Sequence, residues 1–232
     1  KYNKLKARFS KFLSKTDARL IAPVEGRKRA YGIPKLHKAG HPVRPIISSL
    51  NSITSGAESF LHHLISPIVE QCTYSVKSTR TFKEKFTAER HKFDPKIHEV
   101  CSYDACSLFT SINCERTVDY ITNKVYSNIN QFFPITEETP NPPPQELFKE
   151  YFLKVLLEFS TFHSLSGIYK QKSGLSMGGK LSPSLANIFV HMLEETTIQD
   201  YIDQGIIISY QRYVDDVAMV IKKGTNWRFW IK

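Results

Sequence analysis

The chain has 232 residues, which is enough for one or two domains with a sizeable buried core. Hydrophobic residues make up 41% and charged residues 23%, as is typical of a soluble globular protein. Lysine and arginine number 32 against 22 acidic residues, a net charge of +10. This excess favours a polyanionic partner such as nucleic acid, although an anionic membrane surface would also fit the charge alone. No run of about 18 apolar residues exists, so no membrane span is expected.

The first 20 residues are basic and amphipathic and lack the apolar core of a signal peptide. Apolar side chains at helical spacing predict a surface helix packed on the body of the protein. They are Leu5, Phe9, Phe12 and Leu13. The cysteine spacings fit no zinc site, so we expect free thiols in a reducing compartment, nuclear or cytoplasmic. The cysteines are Cys72, Cys101, Cys106 and Cys114.

Residues 28–49 predict a β-hairpin that turns at 39–42. A helix pattern follows from 51 to about 74, and Pro67 is expected to kink or break it. The buried stripe of this helix is expected to be Phe60, Leu61, Leu64, Ile65 and Ile68. The sequence from Thr79 predicts the start of another helix.

Five prolines between 132 and 145 predict a loop or insertion. Residues 146–162 have apolar side chains spaced for one helical face, and residues 161–171 predict a small hairpin. The strongest helix pattern begins at Ser182, a suitable N-cap, and runs to about residue 202. Its expected buried side chains are Leu185, Ile188, Phe189, Met192 and Leu193.

Two adjacent carboxylates, Asp215 and Asp216, interrupt an apolar run at 206–221. The flanking β-branched residues predict a hairpin whose turn holds both acids. Adjacent carboxylates repel each other, and a divalent cation between them would relieve that repulsion, since hard cations prefer carboxylate oxygens. For an isolated pair, a solvated Asp-Asp turn would be the simpler interpretation.

A third acid and a glycine-rich loop lie upstream of this pair. Asp104 follows a short apolar strand pattern and would leave the strand end beside the hairpin, although a turn or N-cap aspartate is also common. Residues 169–183 form a flexible basic loop that opens the helix at Ser182. The chain therefore combines an acid-bearing strand, a glycine-rich loop with its helix, and an acid-bearing hairpin, in that order.

This order resembles motifs A, B and C of reverse transcriptases, the last being the Tyr-x-Asp-Asp hairpin. Residues 30–38 and 43–48 resemble fingers motifs shared by telomerase and the Penelope-like retroelements. Residues 107–110, 171–174, 177–178 and 181–187 resemble the Penelope-like group more than the retroviral one. The resemblance extends from about residue 31 to 221. Each motif alone is weak, whereas five in the right order are a strong signal.

The resemblance implies an α+β fold with the fingers and palm of a right-hand polymerase. An antiparallel palm sheet would be backed by helices, and the thumb would be absent. The implied division is a basic helical extension at 1–27, fingers at 28–95 interleaved with the palm, and a truncated palm at 96–232 carrying the three motifs. The run 224–232 does not match the segment that family members carry after motif C. Oligomeric state stays open.

The implied activity is RNA-directed DNA synthesis, in which deoxynucleotides are added to a DNA primer on an RNA template. Two ions of Mg²⁺ or Mn²⁺ would activate the primer 3′-oxygen and neutralise the pyrophosphate. Asp104 and Asp215 are expected to bridge the two ions. The resemblance gives Asp216 a weaker role and makes the carbonyl of Ala105 an additional ligand.

The resemblance also assigns residues to the nucleotide and to the nucleic acid. Lys35, as a point charge, and Arg44, as a fork, match positions that contact the incoming triphosphate. Met177 and Gly178 are expected to let the backbone lie close to the nascent base pair, and Gln171 resembles a position that lines the active site. Tyr213 is placed near the primer terminus, and Lys180 either touches template phosphate or is simply exposed. The basic side chains expected to flank one cleft are Lys35, Arg44, Lys170, Lys172 and Lys180.

Phe109 lies five residues after Asp104, where RNA-dependent RNA polymerases tend to carry a second acid for the ribose hydroxyl. An aromatic ring there is expected to exclude ribonucleotides by clash, unless Phe109 is an ordinary core residue. Residues 174–180 nearly match a P-loop, but Leu181 offers no hydroxyl to Mg²⁺ and no buried strand precedes the loop. The remaining alternative is a non-catalytic nucleic-acid-binding remnant of a retroelement.

Overall fold

The computed structural model describes residues 1–225. They form two compact units, each built from two stretches of chain. The first unit combines Lys1–Glu70 with Phe109–Ala186, and the second combines Gln71–Leu108 with the chain from Asn187 onward. The predicted boundaries at 27 and 95 concern fingers and palm and stay predictions. The predicted mismatch at 224–232 falls mostly outside the described residues.

Groups of two to four helices separate strands that occur singly or in pairs. The helices are α1 (Tyr2–Phe9), α2 (Lys15–Leu20), α3 (Ser55–Glu70), α4 (Thr79–Glu89), α5 (Leu108–Ser111), α6 (Cys114–Ser127), α7 (Ile129–Phe132), α8 (Gln145–Leu153), α9 (Ser182–Leu193) and α10 (Gln199–Asp203). The strands are β1 (Lys28–Pro34), β2 (Val43–Ser48), β3 (His98–Asp104), β4 (Thr161–Ser164), β5 (Gly167–Lys170), β6 (Ile207–Tyr213) and β7 (Asp216–Lys222). Single π-helical turns, Lys154–Glu158 and Glu194–Ile198, extend α8 and α9.

The first unit contains a four-stranded sheet in the order β2-β1-β4-β5. Both predicted hairpins are confirmed, since β1 pairs with β2 and β4 with β5 in antiparallel ladders. Its helices bury an aromatic core, in which the rings of Phe9 and Tyr151 stack with centroids 4.1 Å apart. The basic N-terminal helix therefore packs on the body as predicted, with Leu5, Phe9 and Leu13 buried.

A buried ion pair lies within the first unit. The Lys28 ammonium is 2.7 Å from Glu58, and both side chains are almost fully buried. The other carboxylate oxygen of Glu58 accepts from the backbone N–H of Lys180 at 3.1 Å. Burying two charges costs solvation free energy, which this geometry offsets with close contact and added hydrogen bonds.

The second unit contains a three-stranded antiparallel sheet in the order β3-β7-β6. One face buries Ile207, Met219 and Ile221 beneath the segment that carries α10. On the outer side of β6, the backbone of Arg212 bonds to Tyr74 and Val76, at 2.9 and 2.8 Å. On the other face Ser209, Gln211 and Val220 are also buried, and the Ser209 hydroxyl donates to Glu89 at the end of α4. The ends of β3, β6 and β7 are thus the part of the sheet that is open for a site.

Three local predictions are wrong in detail. Pro67 neither breaks nor ends α3, because the Ser66 hydroxyl bonds, at 2.8 Å, to the His63 carbonyl that the proline leaves without its helical donor. The helix predicted at 146–162 ends at residue 158 after its π-helical turn. Leu193 is 37% exposed rather than buried, since α9 gives way to a π-helical turn at the next residue.

The four cysteines, all within the described residues, form no disulfide with one another. Burial raises the pKa of Cys72 and of Cys114 to about 11. Within the described residues, no helix has both the length and the apolar character needed to cross a bilayer.

Replacing Glu58 by alanine is expected to lower the free energy of unfolding by about 3–5 kcal/mol, because Lys28 would remain buried without its counter-ion. Urea unfolding followed by circular dichroism measures the change. The control is Glu84→Ala on α4, which breaks the exposed pair with Arg80 and is expected to cost less than about 1 kcal/mol. Equal losses in the two variants would contradict the prediction.

Candidate active site

The site begins with the pairing of three strand ends in the second unit. Asp104, the last residue of β3, pairs directly with Asp216, the first residue of β7. Asp216 in turn pairs with Tyr213, the last residue of β6. Directly paired residues of antiparallel strands point to the same face with Cα atoms about 4.5–5.5 Å apart. The three side chains therefore form one row across the sheet.

The hairpin turn holds one acid rather than two. Because Tyr213 pairs with Asp216, the turn consists of Val214 and Asp215, and the prediction that both acids occupy it is wrong. Val214 has a φ of 57°, a left-handed conformation that a β-branched residue adopts at a cost of about 1–3 kcal/mol. The Asp215 carbonyl accepts from the Ala105 N–H at 3.0 Å, which ties the turn to the end of β3.

The electrostatic setting of these acids suits a cation. Asp104 and Asp216 are exposed and Asp215 is half-buried, and no lysine or arginine between residues 1 and 225 forms an ion pair with any of them. The same described residues contain no group of three or more His, Cys, Asp or Glu side chains placed to hold one metal ion. Carboxylates in ones and twos, completed by substrate phosphates and water, are the usual setting for Mg²⁺. The donor set thus fits a magnesium ion that binds together with a phosphate-bearing substrate.

An open cleft lies beside this row. Its volume is about 480 Å³, and its wall includes Tyr213 and Asp216 from the sheet and Phe82 from α4. Tyr213 is 51% exposed. The cleft gives the paired strand ends access from solvent.

Sequence reasoning missed the buried support beneath the turn. Arg212 is 1% exposed, and its guanidinium contacts Glu194 at 2.7 Å and the Val214 carbonyl at 3.0 Å. The alternation of side chains along β6 could have predicted this support, because it places Arg212 on the same core-facing side as Tyr210. A charged residue on that side requires a buried partner.

In the first unit, the glycine-rich loop is bonded to β2. The N–H of Ile47 donates to the Met177 carbonyl at 2.7 Å, and that of Ser49 donates to the Gly178 carbonyl at 3.3 Å. Gly178 has a φ of 103°, and a Cβ there would lie 3.1 Å from the Ile47 carbonyl oxygen. Only glycine therefore suits this close approach.

The same loop is held at its other end by residue 109. The N–H of Leu175 donates to the Phe109 carbonyl at 2.7 Å. Gly174 has a φ of 68°, and a Cβ there would lie 2.6 Å from the Thr110 carbonyl oxygen. Phe109 itself lies in the short helix α5 and is half-buried, so it is neither in the expected strand-to-turn geometry nor a fully buried core residue.

The remaining predicted site residues also lie in the first unit. Arg44 is exposed on β2 opposite Ile33, whereas Lys35 is half-buried just beyond β1. The Gln171 amide donates to the Ser173 carbonyl at 3.0 Å. The Lys180 ammonium donates to the Ser59 hydroxyl at 2.9 Å, so this exposed lysine is partly engaged within the protein.

The fold is similar to that of solved polymerases. Telomerase from Candida tropicalis in complex with a TWJ fragment of telomeric RNA aligns with a TM-score of 0.61 at 12% identity, over 98% of this chain and 41% of that one. Apo telomerase from the same species, truncated from its C-terminal domain, gives 0.58 at 13% identity, over 86% and 45%. The BmCPV RNA-dependent RNA polymerase in its quiescent state gives 0.58 at 10% identity, over 97% and 20%.

At such low identities the similarity concerns the fold alone, and it confirms the predicted α+β fold of fingers and palm. The chain spans less than half the length of each of these proteins. No curated protein matches it by sequence. The profile of a family described as reverse transcriptase (RNA-dependent DNA polymerase) matches residues 36–228, which include all three acids and the glycine-rich loop. The chain therefore belongs to the reverse transcriptase family.

Proposed function

We propose that this chain is the fingers and palm of an RNA-directed DNA polymerase of the Penelope-like retroelement group. The observation that carries the proposal is the strand register that sets Asp104 opposite Asp216, with Asp215 in the adjoining turn. The Penelope-like assignment rests on the loop and helix sequences at 171–178 and 181–187. The free thiols suit a nuclear or cytoplasmic location.

In this proposal Asp104 and Asp215 hold two Mg²⁺ or Mn²⁺ ions, with smaller contributions from Asp216 and the Ala105 carbonyl. When bound, the ions supply activation of the primer 3′-oxygen and neutralisation of the pyrophosphate. The acids would supply carboxylate oxygens as ligands, and the bond from the Ala105 N–H to the Asp215 carbonyl keeps the backbone of the turn fixed. Fixed ligands avoid reorganisation during the reaction.

The proposed substrates are a deoxynucleoside triphosphate, a DNA primer and an RNA template. Arg44 and Lys35 would bind the triphosphate, the former through two parallel hydrogen bonds. Met177 and Gly178 would lie against the nascent base pair. The hydrogen bonds that their carbonyls accept from Ile47 and Ser49 would hold the loop in place there. Gln171 is proposed for the nucleotide site and Tyr213 for the primer end. Lys180 is proposed to bind template phosphate, since its ammonium has two donors besides the one that binds Ser59.

Asp104→Asn and Asp215→Asn are each expected to slow nucleotide addition by about 10³-fold, since losing a metal ligand costs roughly 4 kcal/mol of transition-state stabilisation. The assay extends a DNA primer on an RNA template with Mg²⁺, under single-turnover conditions with protein in excess. Excess protein keeps the duplex bound, so the measured rate does not depend on the affinity for the primer–template.

The matched control is Asp200→Asn, an exposed acid on α10 in the same unit, which is expected to leave the rate unchanged. Tight primer–template binding with no extension by the unaltered chain would contradict the proposal. It would instead favour the alternative, a nucleic-acid-binding remnant that keeps the fold.

Affinity for the primer–template is expected to fall steeply with salt, because cationic side chains displace counter-ions from phosphates. Arg44→Gln should reduce the slope of log affinity against log salt by about 1. Fluorescence anisotropy between 50 and 300 mM salt measures it. The control is Arg80→Gln on α4, whose guanidinium already pairs with Glu84. A flat salt response, or equal effects of the two substitutions, would contradict this.

Phe109→Val is expected to raise the ratio of ribonucleotide to deoxynucleotide incorporation, because a smaller side chain leaves room for the 2′-hydroxyl. The half-buried position of the ring is compatible with contact to a substrate. Paired measurements of the two incorporation rates test the prediction, with the melting temperature as a control. Equal losses of both activities together with a lowered melting temperature would show that Phe109 only stabilises the fold.

A further inference from the structure

We propose that Arg212 is the positioning residue of the acid-bearing turn: neutralised by Glu194, it holds the Val214 carbonyl and so fixes the direction of Asp215. The role in metal binding rests on the proposed polymerase function, whereas the role in the turn does not. Nothing in the sequence resemblance assigned a function to either Arg212 or Glu194.

The guanidinium of Arg212 is fully used within the second unit. Its Nε and Nη2 donate to the two carboxylate oxygens of Glu194, at 2.7 and 3.2 Å, in a bidentate pair. Its Nη1 donates to the Asn187 side-chain oxygen at 2.8 Å and to the Val214 carbonyl at 3.0 Å. Glu194, like Arg212, is 1% exposed. A planar fork can serve these acceptors together, which the single ammonium of a lysine cannot.

The turn requires such support. Val214 is held in a left-handed conformation that persists only where the surroundings impose it. Its carbonyl is bonded from the core side by Arg212, and the next carbonyl, that of Asp215, is bonded by the Ala105 N–H. The peptide groups on both sides of Asp215 are therefore fixed by different elements, one by β6 and one by the end of β3.

The partner of Arg212 comes from an unusual piece of helix. Glu194 is the first residue of the π-helical turn that follows α9, and π-helical turns occur frequently at functional sites. A buried ion pair is a weak source of stability, since apolar residues of similar volume often replace such a pair without loss. Apolar residues would, however, leave the Val214 carbonyl without its donor. Control of the turn thus explains a buried charge at this position better than stability does.

The first measurement follows the turn directly and needs no metal. The Ala105 amide reports on the turn because it donates to the Asp215 carbonyl. In Arg212→Lys, hydrogen exchange of this amide is expected to quicken by about tenfold, while amides in the middle of β7 such as Met219 keep their protection. Arg212→Met combined with Glu194→Leu removes both buried charges and serves as a second variant that stays folded.

The second measurement is Mn²⁺ affinity, read by electron paramagnetic resonance of the free ion. Both variants are expected to bind Mn²⁺ about 10–100-fold more weakly, as is usual when a group that orients a metal ligand is lost. The matched control is Ser209→Ala, which removes a different side-chain hydrogen bond of β6, the one of 2.6 Å to Glu89, and leaves the Val214 contact intact. This control is expected to change the melting temperature without changing Mn²⁺ affinity.

The proposal is overturned if Ala105 exchange and Mn²⁺ affinity in both Arg212 variants stay within about twofold of the unaltered chain. Arg212 would then only stabilise the fold. Absence of Mn²⁺ binding by the unaltered chain would instead overturn the proposed function, and the exchange of Ala105 would decide the role of Arg212 by itself.

Discussion

The pairing of β3 with β7 is the constraint on which the candidate site depends. It joins segments more than 100 residues apart and sets Asp104 against Asp216. Because side chains alternate along a strand, a slip of one residue would turn Asp104 toward the buried face and Tyr103 toward the cleft. Cys101 and Tyr103 resist such a slip, since it would move their side chains away from the cluster of Ile207, Met219 and Ile221. The apolar face of the sheet thus specifies where the acids meet.

Each unit supports its functional loop with one buried ion pair. In the first unit Glu58 binds Lys28 and also the backbone N–H of Lys180, at the end of the glycine-rich loop. In the second, Arg212 binds Glu194 and also the Val214 carbonyl. In both pairs, a charged side chain forms a hydrogen bond with a backbone group, which a hydrophobic side chain could not do. This common arrangement accounts for buried charges that burial alone would disfavour.

Patterns local to a short segment were predictable from the sequence. Both hairpins and the burial of Phe60, Leu61 and Ile65 follow from alternation or helical spacing. Features set by partners distant in the chain were not. The hydrogen bond from the Ser66 hydroxyl to the His63 carbonyl, which lets α3 continue past Pro67, depends on which rotamer Ser66 adopts.

The details of the acid-bearing turn escaped prediction for the same reason. Two adjacent aspartates suggest a turn, but the register that starts β7 at Asp216 is decided by pairing with β3 and β6. Similarly, Arg212 alone does not reveal its partner, because Glu194 lies 18 residues earlier on a π-helical turn that no simple periodicity predicts. The strand ends that carry the acids were therefore easier to predict from the sequence than the contacts that fix their turn.

Under the proposed function, the choice of sugar would be made by side chains rather than by the fold. The chain resembles telomerases and an RNA-dependent RNA polymerase at TM-scores that differ by no more than 0.03, so the backbone does not distinguish DNA from RNA synthesis. A residue that discriminates must touch the 2′ position, and Phe109 is the candidate. Its carbonyl holds Leu175 of the glycine-rich loop, so its backbone is fixed independently of its ring. A fixed backbone with a half-buried ring suits steric exclusion, because a clash discriminates only when the obstacle cannot move away.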